Sequence, residues 1–156
     1  LVLGSAWLAG APAAFAGALG ASASGIGLAV VAARTSLPDE CCGLLLGDEA
    51  FVRLAWPARN ELRSPTRYRV DPRDYLAAVR YGRRRGLDVV GAYHSHPDSP
   101  PVPSRTDLAE SAGECFVYVI AGHASRPDGP EVRAFVFGDG NFQERPIVAV
   151  PQELLP

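Results

Sequence analysis

Two imidazoles, a hydroxyl and a carboxylate fall within residues 94–107: His94, His96, Ser104 and Asp107. His94 and His96 are two apart, so on an extended strand they point to the same face. One strand end can therefore aim both rings at a single point. Imidazole is the commonest metal ligand near neutral pH. Two imidazoles and one carboxylate, with water in the fourth position, form the ligand pattern of a catalytic zinc site. Asp107 is the natural third ligand. Pro97, Pro100, Pro101 and Pro103 stiffen the segment between, because each fixes its own φ. A stiff connection returns Asp107 to the histidines at lower entropic cost than a floppy one.

The flanking sequence must hold these residues in place. Leu87 to Tyr93 is an apolar run suited to a buried central strand. It delivers His94 and His96 at its C-terminal end, where open α/β sheets place ligands. Ser104-x-x-Asp107 ahead of Leu108 reads as a capping box. Such a cap fixes a helix start, and the first turn can then hold Asp107 toward a metal, with Ser104 at the mouth of the site. Glu40 precedes a strand, at an element end where a side chain can reach a cleft; alone it reads as a solvated turn residue.

The remaining elements are read from periodicity and punctuation. Ile26 to Leu37 is a helix ended by Pro38. Gly43–Leu46 and Phe51–Trp56 are strands of a hairpin, with Asp48 and Glu49 in the connection. Asp71 as N-cap, Pro72 at the first position and Gly86 past the end bracket a second helix. Tyr75, Leu76 and Val79 form its expected inner face. Cys115–Ala121, Val132–Phe137 and Phe142–Val150 are strands, the last interrupted by Pro146, which marks an edge or bulge. His123 lies in a polar loop, is expected to be solvent-exposed and is not assigned to the metal.

The run His94, Ser95, His96, seven residues, Ser104, two residues, Asp107 resembles the signature of the JAMM (MPN-plus) metallopeptidases. That signature also requires an upstream glutamate, and Pro38-Asp39-Glu40-Cys41-Cys42-Gly43 resembles the segment that bears it. The likeness runs from about Leu28 to about Val150, and the short form is most similar to the prokaryotic, sulfur-carrier-processing members. It implies an α/β fold: a mixed, curved β-sheet flanked by helices, as in JAMM and cytidine-deaminase-like architectures. It implies Zn2+ held by His94, His96 and Asp107. Glu40 then serves as the base that passes a proton to the leaving amine, and Ser104 donates to the oxyanion. The implied reaction is hydrolysis of a peptide or isopeptide bond after the glycine-rich C-terminal tail of a ubiquitin-like or sulfur-carrier protein. The alternative is a non-catalytic MPN-type metal-binding scaffold, which predicts the loss of a ligand. A zinc nucleobase deaminase needs H-x-E with P-C-x-x-C, and neither occurs.

The composition bounds the rest. A chain of 156 residues supports one domain with a real core. A net charge of -2 argues against a general nucleic-acid binder. Every basic residue is Arg, so no internal lysine can accept an isopeptide bond. Cys41, Cys42 and Cys115 form no disulfide framework, which favours a reducing, cytoplasmic compartment. They read as small buried apolar residues; a redox-sensitive Cys41 beside the metal is the sharper alternative. Residues 1–25 form an Ala/Gly-rich extension and 26–156 the catalytic domain. The first charge is Arg34, so the apolar start leaves export or anchoring open, although it lacks a basic leader and Pro12 interrupts it. A membrane span is not expected, and a homodimer is left open.

Overall fold

The computed structural model describes residues 19–48, 51–111, 113 and 115–150. The elements run β1 (Leu19–Ser22), α1 (Ala23–Thr35), β2 (Cys42–Gly47), β3 (Phe51–Ala58), α2 (Pro72–Arg83), β4 (Asp88–His96), α3 (Arg105–Ala109), β5 (Val117–Gly122), β6 (Glu131–Gly138), β7 (Asn141–Arg145) and β8 (Ile147–Val150). The eight strands form one sheet in the order β7-β6-β5-β4-β2-β3-β1-β8. It is mixed: β4 runs parallel to β5, and β1 parallel to both β3 and β8, while the other pairs are antiparallel. β7 and β8 lie at opposite edges, yet only Pro146 separates them in sequence. The sheet must therefore curl until its two edges approach at that residue, whose carbonyl accepts from Leu19 N at 2.8 Å. Pro146 suits the joint because it has no N–H to place in a ladder.

Alternation along the strands divides the core. Leu45, Tyr93, Val117, Val119, Ala134 and Val136 pack on one face with Ala29 and Ala33 of α1. Leu44 and Leu46 point the other way, to Ala78 and Tyr75 of α2. Further along that second face Tyr118, Ile120 and Phe135 gather with Phe137 and Phe142. His94 pairs in register with Cys42 on β2 and Ile120 on β5. Both histidines therefore rise from the α2 face, between its two apolar clusters.

Several expected boundaries move. Residues 19–25, assigned to the extension by sequence, form β1 and the start of α1. Ser22 caps that helix by accepting from Gly25 N, a signal masked by the surrounding Ala/Gly run. Residues 1–18 lie outside the described residues, as does Glu49 of the expected hairpin connection. Asp71 does cap α2, accepting from Arg73 N at 2.7 Å and Asp74 N at 3.4 Å. The inner face of α2 differs, however: Leu76 is exposed, and the buried positions are Ala78 and Gly82. A Cβ at residue 82 would meet the Leu87 carbonyl, so close approach of the helix end to the chain entering β4 selects glycine there. No helix among the described residues is long and apolar enough to cross a membrane.

Two contacts fix the segments flanking the histidines. Ser95 points to the opposite face from its neighbours and is fully buried. Its Oγ accepts from Cys41 N at 2.8 Å, and its N–H donates to Cys41 O at 3.2 Å. The chain that carries Glu40 is thereby latched to the histidine strand. On the other side, His123, Ala124 and Ser125 donate backbone N–H groups to Ser99 O, His96 O and Pro97 O. A Cβ at Gly122 would strike the backbone of Pro100 and Pro101.

Two outcomes follow for urea unfolding of the metal-free protein. Ser95→Ala strands the buried Cys41 N–H and should cost about 1–3 kcal/mol. Gly122→Ala forces the proline segment off β5 and should cost about 1–3 kcal/mol by overpacking. A midpoint unchanged from wild type in either variant contradicts the corresponding contact.

Candidate metal centre

The period-two geometry of β4 brings His94 Nε2 and His96 Nε2 to 3.1 Å of each other. Their environments differ. His94 is wholly buried, whereas His96 is 6% exposed and lines a cavity. His96 Nδ1 lies 2.8 Å from Pro100 O. A carbonyl only accepts, so Nδ1 carries the proton and Nε2 keeps its lone pair. The stiff proline segment thus selects the tautomer that presents Nε2 to a metal.

Asp107 arrives from the first turn of α3. Ser104 Oγ accepts from Asp107 N at 3.1 Å, and Asp107 Oδ2 accepts from Ser104 N at 2.6 Å, completing the capping box. The cap orients the carboxylate: Oδ1 stands 3.3 Å from His94 Nε2 and Oδ2 3.7 Å from His96 Nε2. One donor atom from each of the three residues lies within 4.8 Å of the others. Tetrahedral zinc with bonds of roughly 2.0–2.1 Å has ligand-to-ligand edges of about 3.3 Å. Separations of 3.1, 3.3 and 3.7 Å bracket that edge, so the donor set fits such an ion in both chemistry and spacing.

The electrostatics point the same way. Burial pushes the Asp107 carboxyl up, but the two imidazoles that face it overcome this and hold the group far below the usual carboxylate range. Burial lowers the proton affinity of His94, against the pull of Asp107. At His96 burial acts in the same sense, but Asp107, Pro100 O and Glu40 together raise it. Negative surroundings that favour an imidazolium also favour a divalent cation.

Glu40 is 5% exposed, just before β2. Burial pushes its carboxyl up to about 7, with His96 opposing and Asp107 adding. Its backbone is pinned at both ends: its N–H donates to Ser64 O at 2.9 Å, and its carbonyl accepts from Asn60 Nδ2 at 3.1 Å. Glu40, His96, Ser104 and Asp107 all line a cavity of about 1240 Å³, larger than a site for a small molecule. The loop 59–70 and α3 form its walls, and Arg67 and Glu110 pair across it at 2.8 Å. All five residues singled out by sequence therefore border one region: four on the cavity and His94 behind it.

Other expectations change. His123 is half-buried rather than exposed, with a positive φ of 53° and a buried Nδ1, because its backbone is drawn in to Ser99. The Cys41 thiol is buried and pushed up to about 11, chiefly by desolvation. It stays protonated, which removes the basis for a redox-sensitive neighbour. Three residues escaped the sequence reading: Ser95, Asn60 and Tyr68. A small polar residue between two same-face histidines was a signal for Ser95. Nothing local distinguished Asn60, whose Oδ1 accepts from Leu62 N and Arg69 N while Nδ2 donates to Glu40 O and Arg67 O. Tyr68 was hidden among arginines.

Comparison with known proteins adds an independent line. Residues 23–138 match the family described as prokaryotic homologs of the JAB domain. The chain is 39% identical over 113 residues to the desampylase of Pyrococcus furiosus, covering 72% of this chain and 77% of that protein. It is 35% identical over 125 residues to the CysO-cysteine peptidase of Mycobacterium tuberculosis, covering 79% and 85%. It spans 66% of the length of the Haloferax volcanii desampylase, to which it is 39% identical over 95 residues, 59% of this chain. A solution structure of a protein from Desulfitobacterium hafniense superposes with a TM-score of 0.75 at 29% identity, covering 85% of this chain and 93% of that one. With the match extending over most of the chain, and a buried His-His-Asp cluster at its centre, the protein belongs to the family of prokaryotic JAB-domain homologues.

Proposed function

We propose that the chain is a zinc peptidase or isopeptidase that cleaves the bond after the C-terminal tail of a ubiquitin-like or sulfur-carrier protein. The observation that carries the reading is the convergence of His94, His96 and Asp107 beside a buried acid, Glu40, on one cavity. His94, His96 and Asp107 are the residues that would hold the ion. When bound there, zinc supplies Lewis-acid polarisation of the scissile carbonyl and acidifies a coordinated water to a pKa of about 7.

The chain's own residues supply the remainder. Glu40 takes a proton from the attacking water and returns it to the leaving nitrogen, and its buried position makes it a better base than a solvated carboxylate. Ser104 Oγ accepts from Asp107 N, which leaves its own O–H proton to donate to the developing oxyanion. Asp107 stays ionised and presents its carboxylate to the same point as the two imidazoles.

The substrate class rests on two supports. Two of the relatives are named desampylase and CysO-cysteine peptidase, and a third, from Thermus thermophilus, a probable TtuB-protein conjugate cleaving protease. The cavity, at about 1240 Å³, exceeds what a compact metabolite needs, and it leaves room for a peptide tail beside the metal ligands. Intact-mass detection after incubating zinc-loaded protein with candidate ubiquitin-like conjugates, with and without chelator, names the released group.

Glu40→Gln should retain one equivalent of zinc while the rate falls by at least about 10²-fold. Retained turnover in that variant rejects the proton-relay role. Ser104→Ala should lower kcat by roughly 10²–10³ with KM little changed, together with a cap loss of about 1 kcal/mol in thermal unfolding. If only the stability falls, Ser104 is a cap and nothing more.

A further inference from the structure

The two imidazoles are held by different means. His96 is oriented by the hydrogen bond from Nδ1 to Pro100 O, the usual device for a ligating histidine. His94 Nδ1 is buried and meets no hydrogen-bond partner among the described residues. A ring with one nitrogen unfastened can rotate about its χ2 torsion, and rotation moves Nε2 away from its partners. Something else must fix this ring.

The Tyr68 ring lies on it. The centroids are 4.5 Å apart and the planes 22° from parallel, an offset-stacked contact. Tyr68 is itself prearranged. Asn60 accepts from the N–H of Arg69 and donates to the carbonyl of Arg67, at 3.0 Å each, so the peptide units on both sides of Tyr68 are clamped. The Arg67 side chain reaches Glu110 at the end of the helix that carries Asp107. The loop therefore bears on two members of the triad at once, His94 by stacking and α3 through an ion pair. Burial, and then the nearby Asp107 charge, drives the Tyr68 phenol well above its ordinary range. The hydroxyl stays protonated and is no base.

We infer that Tyr68 is a positioning residue, whose ring face fixes the rotation of His94 for metal binding in place of a hydrogen bond to Nδ1. This rests on the metal-site reading above. It assigns the loop 59–70 a second task besides walling the cavity: the ring that orients His94 also lines the space a substrate tail enters.

The test compares wild type, Tyr68→Phe, Tyr68→Leu and Tyr68→Gln. Zinc affinity is measured by competition with a chromophoric chelator, and geometry by the visible spectrum of the cobalt-substituted protein. The phenylalanine variant keeps the ring face and should match wild type in both. The leucine and glutamine variants should bind zinc about 10–100-fold more weakly, the loss typical of removing a group that orients a ligand. Their cobalt bands should also shift. Glutamine suits a half-exposed loop, so the comparison survives a leucine variant that does not fold. A merely structural residue would lower the unfolding temperature of the metal-free protein and leave the cobalt spectrum unmoved, which would overturn the inference. So would a phenylalanine variant as weak as leucine, since the hydroxyl rather than the ring face would then be acting. Wild-type protein that takes up no zinc would overturn both this inference and the metal site. Normal wild-type uptake with unaltered variants overturns this inference alone.

Discussion

Three lone pairs converging at one point at the base of a cavity form the constraint around which this molecule is built. Two Nε2 atoms at 3.1 Å cannot both carry protons, because two N–H groups would then face each other. Adding an ionised carboxylate at 3.3 and 3.7 Å leaves a buried cluster rich in acceptors. Such a cluster is expensive unless a cation shares it. A single proton can bridge one pair of these atoms but not all three, whereas a divalent ion satisfies the set. The sheet meets the mechanical side of the requirement. β4 is paired with β2 as far as His94 and with β5 as far as His96, so the two ring positions cannot drift apart without breaking the β5 ladder.

The third ligand is held by a different economy. α3 has only five residues, far too few to be stable as an isolated helix. The Asp107 carboxylate both caps that helix and faces the imidazoles, so the bond that starts the helix also aims the ligand. The prolines before it and the Arg67–Glu110 pair beyond it restrain the same short element. Helix formation and site assembly are in consequence one event. A substitution at Ser104 or Asp107 cannot be read as purely catalytic or purely structural without measuring both.

What the sequence disclosed about this site follows from how far each signal reaches. His94 and His96 were legible because a strand's period is two and nothing beyond two residues is needed to see it. Asp71, Pro72 and Gly86 marked α2 for the same reason, each acting on its own turn. Leu76 misled because amphipathic pattern weighs side-chain size, whereas the tight approach of the α2 end to Leu87 selects Gly82 and Ala78 for the inner face. The extent of β1 was obscured because its partners, β3 and β8, lie some 30 and 130 residues away. The strand expected over 142–150 is instead two, and Pro146 marks the point where the chain leaves one sheet edge for the other. Asn60 and Tyr68 were invisible for a further reason. Their importance lies in what touches them, and an isolated Asn or Tyr in a polar loop carries no mark of that.

The asymmetry between the two histidines sets the direction of the chemistry. His94 is sealed beneath Tyr68, while His96, Asp107, Ser104 and Glu40 open on the cavity. Any additional ligand must enter from that open side, so an incoming carbonyl, the attacking water and the acid that handles its proton share one face. Glu40 could not be moved to a solvated position without losing this match. Its carboxyl lies near neutrality because burial has raised it and the neighbouring imidazole has only partly lowered it. A group balanced in that way can take a proton and give it up again within one turnover. Ser64 and Asn60 hold the Glu40 backbone itself, and Ser95, on the far face of β4, ties the next residue, Cys41, to the histidine strand, so a residue pointing away from the site helps to set its geometry.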